Sequence, residues 1–405
     1  MRYSSTENER SLKRPKESMC ATKVLFFTPS LGSGGAEMQV LRMLNYMNRD
    51  RFGLAVALMQ AGGCYENKLK TGVKVHHLPT GSINVHKLRQ LRAVRPLRTL
   101  VEAERPDVVC AVMDSASIVA LQALKRCSAS PKLVLSAQIP PITTYEQVKA
   151  SSSWYRCLSM KLRQKLAARA YERADRVVGI SQGVEEEVRA LAPEVEGRTE
   201  VIHNAGFEEE VLRKSQEPLD DWAEERRPLI VACGRLEHQK GFSYLLEALA
   251  EVRGEVPAHL IILGEGGLRE ALEEQARQLG IAEHVHLPGF QENPFKYMAA
   301  ADLFVLSSLF EGFGNVVVEA MACGAPVVAT DCPYGPGEII TEGESGLLVP
   351  PANTSALAGA MRRVLGDGAL REKLSRHGRE RAESFEASQI AEKYGQLFEE
   401  VNSNG

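Results

Sequence analysis

Glu311-Gly-Phe-Gly-Asn-Val-Val-Val-Glu319 places two glutamates on either side of a glycine-containing turn. The apolar run 304–306 before it predicts a buried parallel strand, and residues 316–323 after it predict a helix. Such a turn directs free backbone N–H groups and the positive end of a helix dipole at one point. We therefore predict that a diphosphate binds at this turn and that Glu319 accepts hydrogen bonds from a sugar diol. The alternative is that either glutamate is an ordinary acidic residue at a helix start.

A second strand-to-helix loop lies upstream. Val231-Ala-Cys-Gly-Arg235 predicts a strand that ends in Gly-Arg, and Lys240-Gly241 opens the next predicted helix. Arg235 and Lys240 are therefore placed on one loop, where they can clamp a pair of phosphates. The alternative is that both are solvated surface cations, as most lysines and arginines are.

These motifs together carry a resemblance. The pattern Gly234-Arg-Leu-x3-Lys-Gly241, followed by Phe310-Glu-Gly-Phe-Gly-Asn-x3-Glu-Ala-Met-Ala-Cys-Gly-x-Pro-Val-Val-Ala-Thr330, resembles the carboxyl-terminal half of retaining glycosyltransferases of family four. The resemblance covers residues 229–350 and is specific for the family, not for the substrate. It implies the GT-B fold, an α/β fold in which two Rossmann-like domains with parallel sheets face each other across a cleft. The Gly335-Pro-Gly-Glu338 segment is similar to members that build bacterial polysaccharides or lipid-linked oligosaccharides.

The resemblance also implies roles for particular residues. Arg235 and Lys240 would neutralise the departing diphosphate, and Glu311 would bind the transferred sugar and support its oxocarbenium-like state. The residues implied in substrate binding are Gly34, Gly35, Gly264, Phe290, Gly312, Phe313, Gly314, Asn315, Val316 and Glu319. The family implies retention at the anomeric carbon, a nucleotide-sugar donor that is UDP-linked, and no metal or other cofactor.

Length and charge set the broad class. The 405 residues are enough for two domains, and no run approaches the roughly 18–20 apolar residues that span a bilayer. Residues 1–215 carry 33 lysines and arginines against 22 acidic residues, whereas the remainder carries 16 against 30. A basic first half suggests an anionic partner, such as a membrane surface or a lipid-diphosphate acceptor, and not nucleic acid. Eight cysteines without a CxxC pair predict buried, reduced thiols in a cytosolic protein without a Cys or His metal site.

The alternation of predicted strands and helices gives the domain organisation. We expect a disordered tail over residues 1–19, in which Met19 is an alternative start, and an acceptor-binding domain over 20–207. A polar, acidic linker follows over 208–227. The nucleotide-sugar-binding domain covers 228–383, and a helix over 384–405 crosses back onto the first domain.

The first domain holds fewer distinctive motifs. Its Gly-rich loop, residues 29–37, matches half of a dinucleotide-binding fingerprint, but position 37 is Glu instead of the third glycine, which disfavours that alternative. Asp114, Ser136, Gln138 and Ser181 follow predicted strands and are candidates for the acceptor side of the cleft, or else caps and turn residues. Many family members carry a histidine after the strand at 132–138. Gln138 or a neighbour stands there in this chain, and we interpret His203 as structural.

Residues 152–176 combine an apolar stripe with cations. Leu158, Leu162, Leu166 and Ala170 recur at helical spacing, beside Lys161, Lys165, Arg169 and Arg173 and after Trp154 and Tyr155. A basic stretch at 86–98 adds Lys87, Arg89, Arg92, Arg95 and Arg98. We favour a core-facing stripe for the leucines, and a surface that rests on anionic lipid for the cations. The predicted location is cytoplasmic, with peripheral contact at the inner face of the membrane.

The sequence thus predicts a metal-independent, retaining glycosyltransferase that uses a nucleotide-sugar donor and a lipid-linked or saccharide acceptor. Two alternatives stay open. One is a nucleotide-sugar epimerase or hydrolase on the same architecture, and the other is a non-catalytic protein that binds a nucleotide-sugar.

Overall fold

Two parallel sheets, each covered by helices, make up the structure, which is a computed structural model that describes residues 21–32, 34–80, 86–151 and 154–403. The predicted GT-B architecture is confirmed. The expected tail at 1–19 lies outside the described residues. The same holds for the side chains of Lys87, Arg89, Trp154 and Tyr155. Within the described ranges, no helix is long and apolar enough to span a membrane.

The first sheet has seven strands in the order β3-β2-β1-β4-β5-β6-β7. They are β1 Thr22–Thr28, β2 Phe52–Leu58, β3 Lys74–His77, β4 Val108–Val112, β5 Lys132–Ala137, β6 Arg176–Gly179 and β7 Thr199–Val201. Its helices are α1 Gly35–Tyr46, α2 His86–Glu104, α3 Asp114–Leu124, α4 Pro141–Ser151, α5 Trp154–Tyr171 and α6 Gln182–Leu191. On β1, Leu25 and Phe27 join one buried cluster while Val24 and Phe26 join another, so both faces of the sheet are covered.

The second sheet has six strands in the order β10-β9-β8-β11-β12-β13. They are β8 Leu229–Cys233, β9 His259–Leu263, β10 Val285–Gly289, β11 Leu303–Leu306, β12 Val327–Thr330 and β13 Leu347–Val349. The remaining helices are α7 Glu209–Ser215, α8 Asp221–Glu224, α9 Phe242–Arg253, α10 Arg269–Gln278, α11 Phe295–Ala300, α12 Asn315–Cys323, α13 Pro336–Ile339, α14 Thr354–Gly366, α15 Gly368–Glu383 and α16 Ala387–Ser403. The carboxyl ends of both sheets point into the space between them, which is where ligands bind in such sheets.

Two connections join the halves. The segment predicted as a linker, 208–227, contains α7 and α8, and Val211 and Ala223 are buried in the core. Helix α16 packs against α1, as expected for a helix that crosses back to the first domain. Arg51, which precedes β2, donates to the carboxylates of Glu392 and Glu399 on α16.

Two sequence predictions need correction. Leu158 and Leu162 on α5 are 59% and 58% exposed, so the apolar stripe faces the core only in its second half, at Leu166 and Ala170. Leu166 and Ala170 pack in the buried cluster of the first domain, to which the exposed Leu158 and Leu162 do not belong. Cys64 is also exposed, so the cysteines are not uniformly buried.

Candidate active site

Two loops of the second domain are joined edge to edge. The loop after β8 and the loop after β11 exchange hydrogen bonds, because Leu309 N donates to Gln239 O (2.8 Å) and Gln239 Nε2 donates to Phe310 O (2.9 Å). Ser307 Oγ donates to Lys240 O (2.8 Å). The two predicted motifs, which are about seventy residues apart in sequence, are therefore held as one unit.

Lys240 and Glu311 meet inside this unit. Lys240 Nζ donates to Glu311 Oε1 over 2.6 Å, and the two side chains are only 15% and 8% exposed. Ser308 Oγ donates to the same carboxylate oxygen at 2.6 Å. The sequence predicted a separate role for each group, and the structure places the ammonium and the carboxylate side by side at the end of the sheet.

The amino terminus of α12 opens beside Glu311. Gly314 precedes the helix with φ +99°, a left-handed conformation that favours glycine, and offers no capping side chain to the first amides. Gly312 lies against the first domain, because a side chain there would stand 2.7 Å from the Gln138 carbonyl oxygen. Uncapped amides at a helix start attract anions, so the predicted diphosphate position is consistent with the geometry.

A second helix start faces the first across the cleft. Asn315 Nδ2 lies 3.1 Å from the position of a side chain on Gly35, which begins α1, and Asn204 Nδ2 donates to Asn315 Oδ1 over 3.3 Å. Gly34, the residue before α1, also gives no side-chain cap. The structure thus brings Gly34, Gly35 and Asn315 together from opposite domains, and Val316 follows Asn315 in the first turn of α12.

Other predicted residues lie around the rim. Arg235 is 69% exposed and its guanidinium contacts Glu237 at 3.0 Å. Gly264 follows β9 directly beside Gly234, and Phe290 is exposed after β10. These residues lie at the carboxyl ends of three neighbouring strands, β8, β9 and β10.

Glu319 has a partner that the sequence analysis did not identify. Arg42, on α1, is 1% exposed, and its Nη2 donates to Glu319 Oε1 over 3.3 Å. Burial raises the pKa of the Glu319 carboxyl, and the Glu208 carboxylate adds to this while Arg42 opposes it. A signal was present in the sequence, since Arg42 stands among the core residues of α1, but its partner is 277 residues away.

The loop between β12 and α13 closes the cleft on another side. Glu311 N donates to Pro333 O (2.7 Å), and the Tyr334 ring occupies the space that a side chain on Gly183 would need. The Tyr334 hydroxyl donates to Glu187 at 3.0 Å. This loop therefore connects the Glu311 turn to α6 of the first domain.

His203 contributes to the same contact as a structural residue, in agreement with its interpretation. Its Nε2 lies 2.9 Å from Glu338 Oε2, and its ring stacks on Phe313. Burial raises the pKa of Glu338, but hydrogen bonds from His203 and from the Gln182 and Gly183 amides outweigh burial and leave that pKa below its ordinary value. The ring of Phe313 is itself buried, against His203 and Phe385, so it supports the turn from behind.

The acceptor-side candidates occupy the facing sheet. Asp114 accepts from the Tyr171 hydroxyl (2.6 Å), and Ser181 caps α6 through Val184 N. Gln138 Nε2 donates to Ser136 Oγ over 2.8 Å, and Ser136 Oγ lies 3.2 Å from the Tyr394 hydroxyl. Asp114, Ser136 and Gln138 are buried at strand ends that face the cleft.

Two family models match this chain. The "Glycosyl transferase 4-like domain" matches residues 34–205, and "Glycosyl transferases group 1" matches residues 217–381, which contain the Lys240, Glu311 and α12 arrangement. The chain is a group 1 glycosyltransferase. Its family membership confirms the resemblance drawn from the motifs.

Relatives and solved structures resemble the glycosyltransferase over nearly its whole length. The N-acetylgalactosamine-N,N'-diacetylbacillosaminyl-diphospho-undecaprenol 4-alpha-N-acetylgalactosaminyltransferase of Campylobacter jejuni is 28% identical over 91% of this chain and 97% of its own. Sucrose-phosphate synthase from Thermosynechococcus elongatus superposes with a TM-score of 0.80 at 21% identity, over 95% of this chain and 100% of its own. Anabaena HepE, solved with UDP and glucose, gives 0.78 at 24% identity, over 94% and 100%. The two structures show the shared fold.

The glycosyltransferase site combines a buried ammonium–carboxylate pair with two uncapped helix starts. Such an arrangement can hold an anion and stabilise negative charge that develops on it. In the described part of the chain, no group of three or more His, Cys, Asp or Glu side chains is placed to hold a metal ion.

Proposed function

We propose that this glycosyltransferase moves a sugar from a nucleotide-diphosphate sugar, with UDP-sugars first, to a lipid-linked or saccharide acceptor in polysaccharide biosynthesis. The observation that carries the proposal is the buried Lys240–Glu311 pair beside the uncapped amino terminus of α12. That combination offers a cation and amides to a diphosphate and a carboxylate to sugar hydroxyls at one point.

The donor half of the proposal follows from charge. When the bond between the sugar and the diphosphate breaks, its electron pair stays on a phosphate oxygen, and negative charge grows there. Lys240, the α12 amides and the exposed Arg235 lie at the end of the sheet where that charge would develop. Preorganised cations and amides of this kind supply a large catalytic term, which supports transfer without a metal ion.

Glu311 supports the sugar in the same scheme. Its Oε1 is taken by Lys240 and Ser308, so the carboxylate is held in place beside the Gly312 turn. From there it would bind hydroxyls of the transferred sugar as the acceptor oxygen forms the new bond and passes its proton to the departing diphosphate oxygen. Retention of configuration remains part of the proposal, and it rests on family membership.

UDP is the first nucleotide to test. HepE, a protein of the same fold, has been solved with UDP and with UDP-glucose. The base would lie near Phe290, beside the loop that carries Gly264. The ribose would lie near Glu319, on the helix that follows Gly314.

A lipid-linked acceptor is supported by the first domain. The Campylobacter relative is named for an undecaprenol-diphosphate-linked acceptor. Leu158 and Leu162 are exposed on α5, and exposed cations at Lys161, Lys165, Arg169 and Arg173 accompany them. Ile139, also exposed, follows Gln138, whose carbonyl meets Gly312. An apolar surface therefore runs towards the donor site, and we propose that it rests on an anionic membrane at the cytoplasmic face while the acceptor reaches the cleft.

The test is nucleoside diphosphate release from UDP-, GDP-, ADP- and dTDP-sugars, with and without a bacterial membrane lipid extract. Release from one donor that rises with the extract, together with labelled sugar in the lipid fraction, would support the proposal. Release without any sugar transfer would indicate a hydrolase, and a changed sugar without release would indicate an epimerase. No release from any donor, with lipid or oligosaccharide acceptors, would contradict enzymatic transfer.

A further inference from the structure

The interior of the protein holds an arginine that no step of the proposed reaction uses. Arg42 is 1% exposed and sits two turns into α1, where its neighbours Val40, Leu41, Met43 and Leu44 are core residues. A buried charge is costly unless it is paired and hydrogen-bonded. The groups that pair with Arg42 therefore indicate the role of its buried side chain.

Those partners come from two parts of the chain. Arg42 Nη1 donates to the carbonyl oxygens of Ala205 (2.6 Å) and Gly206 (2.9 Å), where the chain crosses between the domains. Its Nε donates to the Glu208 carboxylate, and its Nη2 donates to Glu319 on α12. One guanidinium thus connects the first domain, the crossing segment and the helix whose amino terminus forms the donor site.

The contact with Glu319 is one-sided. It uses Oε1, and among the residues that the structure describes no partner is recorded for Oε2, which is also absent from the buried, unpaired side-chain atoms. One carboxylate oxygen is therefore fixed while the other stays available as a hydrogen-bond acceptor. The fork geometry of a guanidinium suits this task, because it fixes the direction of a carboxylate as well as its charge.

The charges around the carboxylate select the kind of group it can take. Glu208 and Glu319 both contact the Arg42 guanidinium. Tyr65, Cys233 and Cys323 also face Glu319 and are uncharged at neutral pH, because burial raises the pKa of each. A carboxylate oxygen accepts hydrogen bonds, so the free Glu319 oxygen suits a hydroxyl donor and not a phosphate oxygen, which has no proton to donate.

We infer that Arg42 is a positioning residue for the nucleotide: it reaches across from the first domain to orient the Glu319 carboxylate, whose free oxygen takes the 2′-hydroxyl of the ribose. This inference rests on the proposed donor role of Glu319. It adds that the ribose site is complete only when α1 of one domain contacts α12 of the other.

The experiment compares ribonucleoside and 2′-deoxyribonucleoside diphosphates by isothermal titration calorimetry. UDP and 2′-deoxy-UDP, GDP and 2′-deoxy-GDP, and ADP and 2′-deoxy-ADP are titrated into the wild-type protein. We expect one base to bind, with the ribonucleotide preferred by about tenfold or more, the value of a hydrogen bond to a charged group. The preferred pair is then used with Arg42→Met, Arg42→Lys, Glu208→Gln and Glu319→Ala.

In Arg42→Met the preference for the 2′-hydroxyl should fall at least threefold, and in Arg42→Lys by a smaller factor. Glu208→Gln is the matched control, because it weakens the same buried cluster but leaves the Arg42–Glu319 contact. Its preference should equal that of the wild type even if it unfolds at a lower temperature. If Arg42 were merely structural, Arg42→Met and Arg42→Lys would both be less stable, and neither would change the preference for the 2′-hydroxyl. If Arg42→Met does not fold, Arg42→Lys decides the comparison.

The outcomes separate the two levels of the argument. A preference lost in Glu319→Ala but unchanged in both Arg42 variants overturns the positioning role and leaves the donor role of Glu319. A preference unchanged in Glu319→Ala overturns the proposed ribose contact itself. A wild-type protein that binds none of the three ribonucleotides overturns both.

Discussion

Replacing Lys240 tests the centre of the proposed site. Lys240→Ala removes the ammonium that lies 2.6 Å from Glu311 Oε1, and Ser308 is then the remaining described partner of that carboxylate oxygen. The stem of Lys240 also packs on Gly234, since its Cδ and Cε lie 3.2 Å from the position of a side chain there. Lys240→Met keeps most of that packing, so comparison of the two variants separates the charge from the stem.

The expected magnitudes differ for turnover and stability. Loss of one preorganised group that faces developing charge costs about 10²–10³ in kcat, or roughly 3–4 kcal/mol. Removal of one partner from a buried ion pair costs about 3–5 kcal/mol of folding free energy. The Lys240 side chain is 15% exposed and Ser308 stays bound, so we expect the lower end, about 3 kcal/mol. Both variants should still fold, because domains are stable by about 5–15 kcal/mol.

The assay measures nucleoside diphosphate release and urea unfolding on the same preparations. The double variant Lys240→Met/Glu311→Gln completes the design, because it leaves neither a buried cation nor a buried carboxylate. Its folding free energy should recover most of the loss seen in Lys240→Met, whereas its turnover should stay at the level of the single variant or below it.

Two results would refute this reasoning. Turnover of Lys240→Met within threefold of the wild type would remove Lys240 from charge stabilisation. Recovery of turnover together with stability in the double variant would mean that the lysine acts only by neutralising Glu311.

Three further predictions concern the donor, the membrane and pH. Glu319→Ala should weaken binding of the donor nucleotide by roughly 1–3 kcal/mol, because ribose hydroxyls lose a buried acceptor, as measured by calorimetry. Changing both Leu158 and Leu162 to Glu should reduce co-sedimentation with phosphatidylglycerol vesicles, and salt should weaken the binding of the wild type. Burial lowers the pKa of three histidines below the ordinary 6.5, helped by Arg226 at all three, by Arg253 at two and by Arg269 at the third, so the unfolded chain binds more protons than the folded protein as the pH falls through that value. The urea concentration at the unfolding midpoint should therefore decrease as the pH is lowered from 7.5 to 5.5. The three histidines are His259, His284 and His286.

Each of these has a control. Equal nucleotide affinity in wild type and Glu319→Ala would remove the ribose contact. Leu212→Glu, a change at an exposed leucine on α7, should leave vesicle binding intact, and equal loss in this variant would show that any added charge interferes. A urea midpoint that is flat over the acid range, or that rises, would contradict the histidine argument, in which burial is the largest cause and outweighs the opposing carboxylates of Asp220 and Glu283.

The central strands could be predicted because they are short apolar runs buried on both faces, whereas β3, β7 and β10 are only partly buried or exposed. The strands predicted at 304–306, 231–235 and 132–138 correspond to β11, β8 and β5, and α12 begins within one residue of its prediction. Helix α4 was not predicted, since it starts at Pro141 directly after another proline and its first amides are held by Glu187, 45 residues away from Ile142. Local pattern gives no sign of such a partner.

In the candidate site too, some features follow from local sequence and others depend on contacts between distant residues. The glycine turn and the cations at 235 and 240 follow from local sequence, because a strand, a tight turn and a helix are consecutive in the chain. The Arg42–Glu319 contact and the placement of Tyr334 against Gly183 join residues from different domains. In each pair, the sequence around one residue does not indicate which residue is its partner. Helical spacing places Leu158 and Leu166 on one face of α5, but it does not show which of them is buried by the surrounding helices.

The position of α16 has a consequence for biosynthesis. Tyr394, Leu397 and Phe398 are buried in the same cluster as Phe26 and Phe52 of the first sheet, with Phe26 and Phe398 in edge-to-face contact at 5.9 Å. A ribosome makes about 5–20 residues per second, so the roughly 180 residues between the first sheet and α16 take on the order of 10–40 s. Through that interval the nascent first domain carries an apolar face that its own later segment will cover. The domain that is translated first is thus the one completed last.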